Sequence, residues 1–323
     1  MKNSNLVGHL MTLFTMVIWG TTFISTKVLL NTMEPVEILF CRFFIAYVSL
    51  ILIHPKFYKI GSIKEELLFM GLGLSGVTMY FLSENIALKY SLASNVGLLV
   101  SAAPILTAIL AHFYTRDEKF NKNFILGSIA AFTGVFLVIF NGNFILKLNP
   151  LGDLLALMSA VFWAVYSILL KSLGNKYSYI YVTRKIFFYG LLTMVPVIPL
   201  FGIDFNITRL SSPVVFLNIL FLSLAASSLC YVLWNKAVSI IGAVKASNYI
   251  YLIPLITIIT SMIVLNERIT GLAILGAILI LSGVYISEHG VSKDSYKKVL
   301  GSISKIKVKS TPIIGTENQN YKE

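Results

Sequence analysis

ENIALKYSLASNVGLLVSAAPILTAILAHFYTRD, residues 84–117, and WNKAVSIIGAVKASNYIYLIPLITIITSMIVLNE, residues 234–267, are two copies of one pattern set 150 residues apart. Asn85 matches Asn235, Ala87 matches Ala237 and Ala93 matches Ala243. Pro104 matches Pro254, Thr107 matches Thr257 and Ile109 matches Ile259. Each copy reads as the end of one apolar helix, a short polar turn, and a second apolar helix with proline near its middle. A repeat of this length in an apolar chain is the feature from which the fold is read.

The solvent follows from composition. Of 323 residues, 57% are hydrophobic and only 12% are charged, and mean hydropathy is +0.82. A soluble domain carries about 25% charged residues. The apolar residues fall in blocks of about 20, the length that crosses a ~30 Å hydrocarbon core. The chain is therefore expected to be an all-α integral membrane protein. Ten spans fit: Leu6–Leu30, Val36–Ile53, Leu67–Leu88, Ser94–Tyr114, Phe124–Phe140, Gly152–Leu170, Tyr179–Phe201, Val214–Ala237, Ala243–Leu265 and Gly271–Ser287. The first run has no small-x-small cleavage site behind it and reads as a retained helix.

Five spans per repeat is an odd number, so a second copy must enter the membrane from the opposite side. This predicts two inverted five-helix repeats, residues 6–141 and 151–288, related by a pseudo-two-fold axis in the membrane plane. A basic tail, residues 289–323, follows. Net charge is +12, and its lysines gather around Lys56–Lys64 and after Lys293. With the N-terminus inside, the outer segments hold only Lys89, Lys147, Arg209 and Arg268. Lys and Arg bias thus puts both termini in the cytoplasm and explains the charge as topology, not nucleic-acid binding. In the tail, Tyr296, Val299, Leu300, Ile303 and Ile306 recur at helical spacing among lysines. This reads as a basic amphipathic helix on the inner leaflet or as a solvated tail.

Polar groups inside spans are costly and usually face protein or a water-filled cavity. Trp19 and Trp163 are repeat counterparts near mid-span, each eight residues before a lysine, Lys27 or Lys171. They read as cavity wall or as core. Arg42 lies near the middle of the second span, too deep to snorkel, which points to a cavity or a buried ion pair. Arg184 occupies the related place in the seventh span, nearer its entrance. The repeat counterpart of Glu84 is Trp234, so the acid is not symmetric. It either neutralises Lys27 or Arg42, or takes a substrate amine or a proton. Asn85 and Asn235, with Tyr80, Tyr231, Asn95, Asn248 and Tyr251, add hydrogen-bonding groups on the third, fourth, eighth and ninth spans. Pro104 and Pro254 leave the carbonyls of Val100 and Ile250 without helical partners, a kink or a hinge. Small pairs, Gly127/Ala131, Ala130/Gly134 and Ala273/Ala277, echoed at Gly276 and Gly283, suggest that the fifth and tenth spans are scaffold or dimer-contact helices.

Cys41 and Cys230 lie inside spans and imply neither a disulfide framework nor a metal site. No HExxH, GxSxG, P-loop or paired intramembrane aspartate is present. No cofactor, metal or catalytic group is expected, and no enzyme activity.

WGTTFISTK from Trp19, ENIALKYSLASN from Glu84 and the Pro104 helix, then WAVYSILLK from Trp163, NKAVSIIGAVKASN from Asn235, the Pro254 helix and NERIT before a glycine-spaced last span, together resemble the EamA-type branch of the drug/metabolite transporter superfamily. The resemblance covers about residues 8–288. It implies a ten-helix carrier with a central cavity, working by alternating access on small metabolites such as amino acids, other organic solutes and drugs. The expected function is secondary transport of an anionic or zwitterionic metabolite across the plasma membrane, in the export direction, by a monomer or homodimer in the lipid bilayer. The alternatives are a non-transporting membrane scaffold and an intramembrane lipid-modifying enzyme.

Overall fold

A computed structural model describes residues 2–56, 61–91, 93–115, 122–140, 149–174, 176–201, 209, 211–265 and 270–289. The amphipathic tail reading falls outside them, as does the side chain of Asn95.

Among the described residues there is no strand. The helices are α1 (Lys2–Leu30), α2 (Pro35–Ile53), α3 (Ile63–Tyr90), α4 (Ala93–Val100), α5 (Ala103–Tyr114), α6 (Lys122–Phe140), α7 (Pro150–Leu173), α8 (Tyr179–Met194), α9 (Pro213–Ile241), α10 (Ala243–Asn248), α11 (Leu252–Leu265) and α12 (Gly271–His289). Seven stretches among them are long and apolar enough to cross a membrane, so the chain is a multi-pass membrane protein. Their outward faces carry the apolar side chains that lipid requires. Leu10, Phe14 and Leu52 are exposed, as are Leu126, Ile129, Ile274 and Leu281.

Sequence punctuation sets the helix ends. Pro35, Pro150 and Pro213 sit in first turns, where a missing N–H costs nothing. Asn149 caps α7 by accepting from the Gly152 N–H at 3.0 Å. Helix α8 stops at Met194, before Pro196, and a short 3₁₀ turn, Ile198–Phe201, completes the predicted seventh span.

Two departures from the expected spans bear on the site. The fourth and ninth do not run through their prolines. A turn at residues 101–102 separates α4 from α5, and Pro104 is the second residue of α5. A 3₁₀ turn, Tyr249–Tyr251, separates α10 from α11, which begins just before Pro254. Breaking the helix upstream of proline places the Val100 and Ile250 carbonyls at a helix end and in a 3₁₀ turn, where a missing proline N–H interrupts no continuous ladder. The third and eighth spans, by contrast, are continuous but under-wound. Residues Leu74–Met79 of α3 and Phe221–Leu229 of α9 are π-helical. Such bulges re-aim the side chains around them and are frequent at functional sites.

The packing interleaves the two repeats. Helix α1 lies against the second half's α9 and α11, and α7 lies against the first half's α3 and α5; α2 packs on the π segment of α9, and α8 on that of α3. Two matched hydroxyl clasps fasten this arrangement. Thr78, in the π segment of α3, donates to the Gly190 carbonyl of α8 at 2.9 Å and meets Thr193 Oγ1 at 2.7 Å. Ser228, in the π segment of α9, donates to the Ala46 carbonyl of α2 at 3.2 Å and meets Ser49 Oγ at 2.8 Å. Ala46 and Ser49 precede Gly190 and Thr193 by the same 144 residues that separate Trp19 from Trp163.

The glycines of the fifth and tenth spans are used inside the chain. An ideal Cβ at Gly134 would fall 2.5 Å from the Gly276 carbonyl, and one at Gly283 would fall 2.5 Å from the Gly127 carbonyl. Helices α6 and α12 therefore pack on each other through these positions. Of the two expected roles, scaffold and dimer contact, the small faces serve the first.

Candidate functional site

At the centre of the bundle, helices from both halves bring their aromatic residues to one place. Trp19 of α1 lies edge-on to Trp163 of α7, with ring centroids 5.2 Å apart. Trp234 of α9 is 5.4 Å from each of them. Tyr80 of α3 and Tyr166 of α7 close on Trp163 at 5.0 and 5.1 Å, and Tyr231 of α9 lies 5.8 Å from Trp19. Trp234, Tyr166 and Tyr231 are among the largest fully buried side chains. Local backbone makes this possible. Gly76, in the π segment of α3, lies flush against the Tyr166 ring, and a Cβ there would enter it.

Arg42 enters this region from α2 and is 4% exposed. Its Nε donates to Ser227 Oγ at 2.6 Å, and its guanidinium lies 4.6 Å from the Phe81 ring and 5.3 Å from that of Phe43. Among the described residues its two terminal amino groups have no hydrogen-bond partner, and no carboxylate lies within 4.0 Å of them. Glu84, 7% exposed, accepts from Tyr80 Oη at 3.0 Å through Oε1. Oε2 has no partner among the described residues. The interior therefore holds one guanidinium and one carboxyl that do not pair with each other. A buried ionisable group is retained only where something compensates it.

The remaining sequence candidates divide. Asn85 is buried beside Glu84 and has no hydrogen-bond partner among the described residues. Asn235 is fully engaged: it accepts from Tyr166 Oη at 2.5 Å and donates to Thr183 Oγ1 at 2.9 Å. Asn248 and Tyr251 are buried at the α10–α11 break, where Ser247 reaches Thr107 of α5 at 3.5 Å. No ring contact joins Tyr251 to the aromatic cluster among the described residues.

Arg184 does not join Arg42. It donates to the carbonyls of His54 and Lys56 at 2.6 and 2.7 Å, closing the C-terminal end of α2. The 144-residue register of the clasps sets Ile186 opposite Arg42, so the two arginines are not equivalent. Trp234 is the residue that sequence reading passed over. As the counterpart of Glu84 it registered as lost symmetry, although it is one of only three tryptophans and all three meet here.

Polar latches join the halves at both ends. At the end where α2 finishes and α3 begins, Lys185 donates to Glu66 at 2.5 Å and Tyr189 to the same carboxylate at 2.6 Å. At that end Lys176 also meets Glu65 at 3.0 Å. Hydrogen bonds that the exposed Lys176 ammonium donates to Tyr177 and Glu65 hold it above its ordinary pKa. At the opposite end Arg209 pairs with buried Glu37 at 2.6 Å, and Ser91 donates to Asp153 at 2.6 Å. An open groove of about 540 Å³, lined by Leu10, Met11, Leu13, Phe14, Val17 and Leu233, is wholly apolar and offers a polar solute nothing. Among the described residues no cluster of three His, Cys, Asp or Glu could hold a metal ion, and both cysteines are free.

The family model described as the EamA-like transporter family matches residues 6–140 and again 150–288. An uncharacterized transporter of Archaeoglobus fulgidus is 30% identical over 86% of this chain and 96% of its own length. A probable amino-acid metabolite efflux pump of Escherichia coli is 26% identical over 86% of this chain and 94% of its own. A solved structure titled only as a crystal structure of protein aligns with TM-score 0.68 at 17% identity, over 88% of this chain and 96% of that one, a likeness of fold.

Proposed function

This chain belongs to the EamA-like transporter family, and from that premise we propose that it carries a zwitterionic metabolite of the amino-acid kind across the plasma membrane by alternating access. The supporting observation is the buried Arg42 and Glu84, which lie unpaired in an aromatic-walled interior with hydrogen-bonding capacity left on both. Arg42 offers a planar fork suited to a carboxylate, and Glu84 offers an acceptor suited to an ammonium. With Arg184 committed to the end of α2, the interior has one group of each sign rather than a surplus cation. That balance favours a zwitterion over a simple anion. The relative named as a probable amino-acid metabolite efflux pump agrees in solute class and in the outward direction.

The topology that goes with this reading is ten helices in two inverted five-helix repeats, with both termini in the cytoplasm. The paired clasps and the matched π segments support the repeat, and Lys and Arg bias supports the orientation. The scaffold and lipid-enzyme alternatives lack a comparable observation. A pure scaffold has little reason to bury Arg42 and Glu84. The test is flux from liposomes holding the purified chain, across the proteinogenic amino acids, organic cations and simple carboxylates. Amino-acid flux above protein-free vesicles is expected; transport of organic cations alone would overturn the reading.

A further inference from the structure

We propose that the indole N–H groups of Trp163 and Trp234 donate hydrogen bonds to the carboxylate of the transported solute, beside Arg42; the assignment rests on the reading of the interior as a zwitterion site. All three tryptophans of the chain belong to one cluster, but they differ in one respect. Trp19 donates its Nε1–H to the Ala226 carbonyl at 2.9 Å. Trp163 and Trp234 are 4% and 0% exposed, and among the described residues their Nε1–H groups have no partner.

The repeat explains both orphans. Trp163 is the counterpart of Trp19, and Gly76 is the counterpart of Ala226, 150 residues away. The acceptor equivalent to that of Trp19 would be the Gly76 carbonyl. Tyr231 already occupies it, donating its hydroxyl at 2.8 Å. The counterpart of Tyr231 is Phe81, which has no hydroxyl. One change from the repeat pattern, a phenol in place of a phenyl ring, thus leaves Trp163 without its acceptor. Trp234 stands where the first half has Glu84. The equivalent positions of the two halves therefore carry an acceptor in one and a donor in the other.

A buried N–H without an acceptor is unfavourable, and most such groups are satisfied. Two of them, on indoles whose ring centroids lie 5.4 Å apart, call for an acceptor that comes and goes. Arg42 reaches the same interior against Phe43 and Phe81, which pack on Tyr231 and Tyr80 of the cluster. An indole N–H is a donor only and cannot receive a bond from an ammonium. A carboxylate has about four lone-pair positions, enough for a guanidinium fork and two indole donors together. The site is then polar-ended. Arg42, Trp163 and Trp234 take the carboxylate, and Glu84 with Asn85 takes the ammonium.

The full-length protein in lipid nanodiscs, labelled with ¹⁵N-tryptophan, should give three indole resonances, assigned with Trp19→Phe, Trp163→Phe and Trp234→Phe. The probes are the proteinogenic amino acids and the amines that each gives on decarboxylation. Amino acids are expected to shift the Trp163 and Trp234 resonances and leave that of Trp19. The amines are expected to shift none of the three. Trp163→Phe and Trp234→Phe keep a buried ring and should each weaken amino-acid binding about tenfold, the scale of one hydrogen bond to a charged group. If a variant fails to fold, the wild-type count decides, since two of three resonances must move. Amino-acid flux with no indole shift, or equal shifts with the amines, overturns this assignment and leaves the transport reading standing. No amino-acid flux by the wild type overturns both.

Discussion

Replacing Gly134 with alanine should loosen the α6–α12 pair by an amount that can be worked out. An ideal Cβ on Gly134 would lie 2.5 Å from the Gly276 carbonyl oxygen, 2.7 Å from Ile280 N and 2.9 Å from Ile280 Cγ1. Non-bonded heavy atoms rest at about 3.5–4.0 Å. Two of the three neighbours are backbone and cannot rotate away, so the helices must separate by roughly 1 Å. Overpacking of this kind costs about 1–3 kcal/mol. In a chain larger than about 150 residues each kcal/mol moves the midpoint by roughly 2–4 °C. A fall of about 2–12 °C in apparent Tm follows. The apparent midpoint is the right quantity because unfolding of such a chain is expected to be irreversible. Gly271→Ala is the control: it begins α12, and a Cβ there meets nothing within 4 Å. The assay is thermal stability of detergent-solubilised protein by fluorescence size-exclusion, at one scan protocol for all variants. Gly134→Ala as stable as both wild type and Gly271→Ala would refute the packing argument. Gly276→Ala, 2.6 Å from the Gly134 carbonyl, should reproduce the fall from the other side.

Three further outcomes are expected. Arg42→Lys keeps the charge but loses the fork and the Nε bond to Ser227, so KM for a carboxylate-bearing solute should rise about tenfold or more in liposome flux. Unchanged flux in Arg42→Lys, Arg42→Ala and Glu84→Gln alike would remove these residues from the site. Glu84→Gln keeps an acceptor for Tyr80 and loses the charge, so it should impair amino-acid flux more than flux of any simple carboxylate found. Reporter fusions at the C-terminus should be active only as cytoplasmic reporters; activity of a periplasmic reporter there would invert the topology.

The membrane class and the duplication were legible because both are written in composition and in register. The burial of Trp19, Arg42, Glu84 and Trp163 in the protein interior was legible too, since a polar or bulky residue deep in an apolar span has few reasons to be there. What was not legible depends on which helices touch. Arg184 sits two residues from the position equivalent to Arg42, a difference invisible to a coarse alignment but enough to send it to the carbonyls of His54 and Lys56. The glycines of α6 and α12 announce close approach, but only contact says that they approach each other. The π segments leave no periodic trace, because one extra residue per turn disturbs an already apolar pattern very little. For Pro104 and Pro254 the sequence offers a kink or a hinge in a continuous helix, and a break upstream is a third outcome that a proline in an apolar run also allows.

The clasps also decide which parts can move. If the two repeats rocked as separate bodies, every contact between them would have to slide, including the Thr78 and Ser228 bonds. Those bonds are matched in both halves and are made within the spans by the π segments. The ionic latches, Lys185–Glu66 and Arg209–Glu37, lie at opposite ends of the bundle. Opening toward one side needs one latch to part while the middle holds. The clasps are therefore expected to act as pivots, about which α3 and α8, and likewise α2 and α9, tilt against each other while staying joined. A disulfide across Thr78→Cys and Thr193→Cys, or across Ser49→Cys and Ser228→Cys, should leave flux within about twofold of the reduced protein, since a pivot joins groups that stay together. A cross-link spanning Glu66→Cys and Lys185→Cys should block flux and release it on reduction. Loss of flux from the clasp cross-links with full flux through the latch cross-link would reverse the assignment and return the motion to two independent repeats.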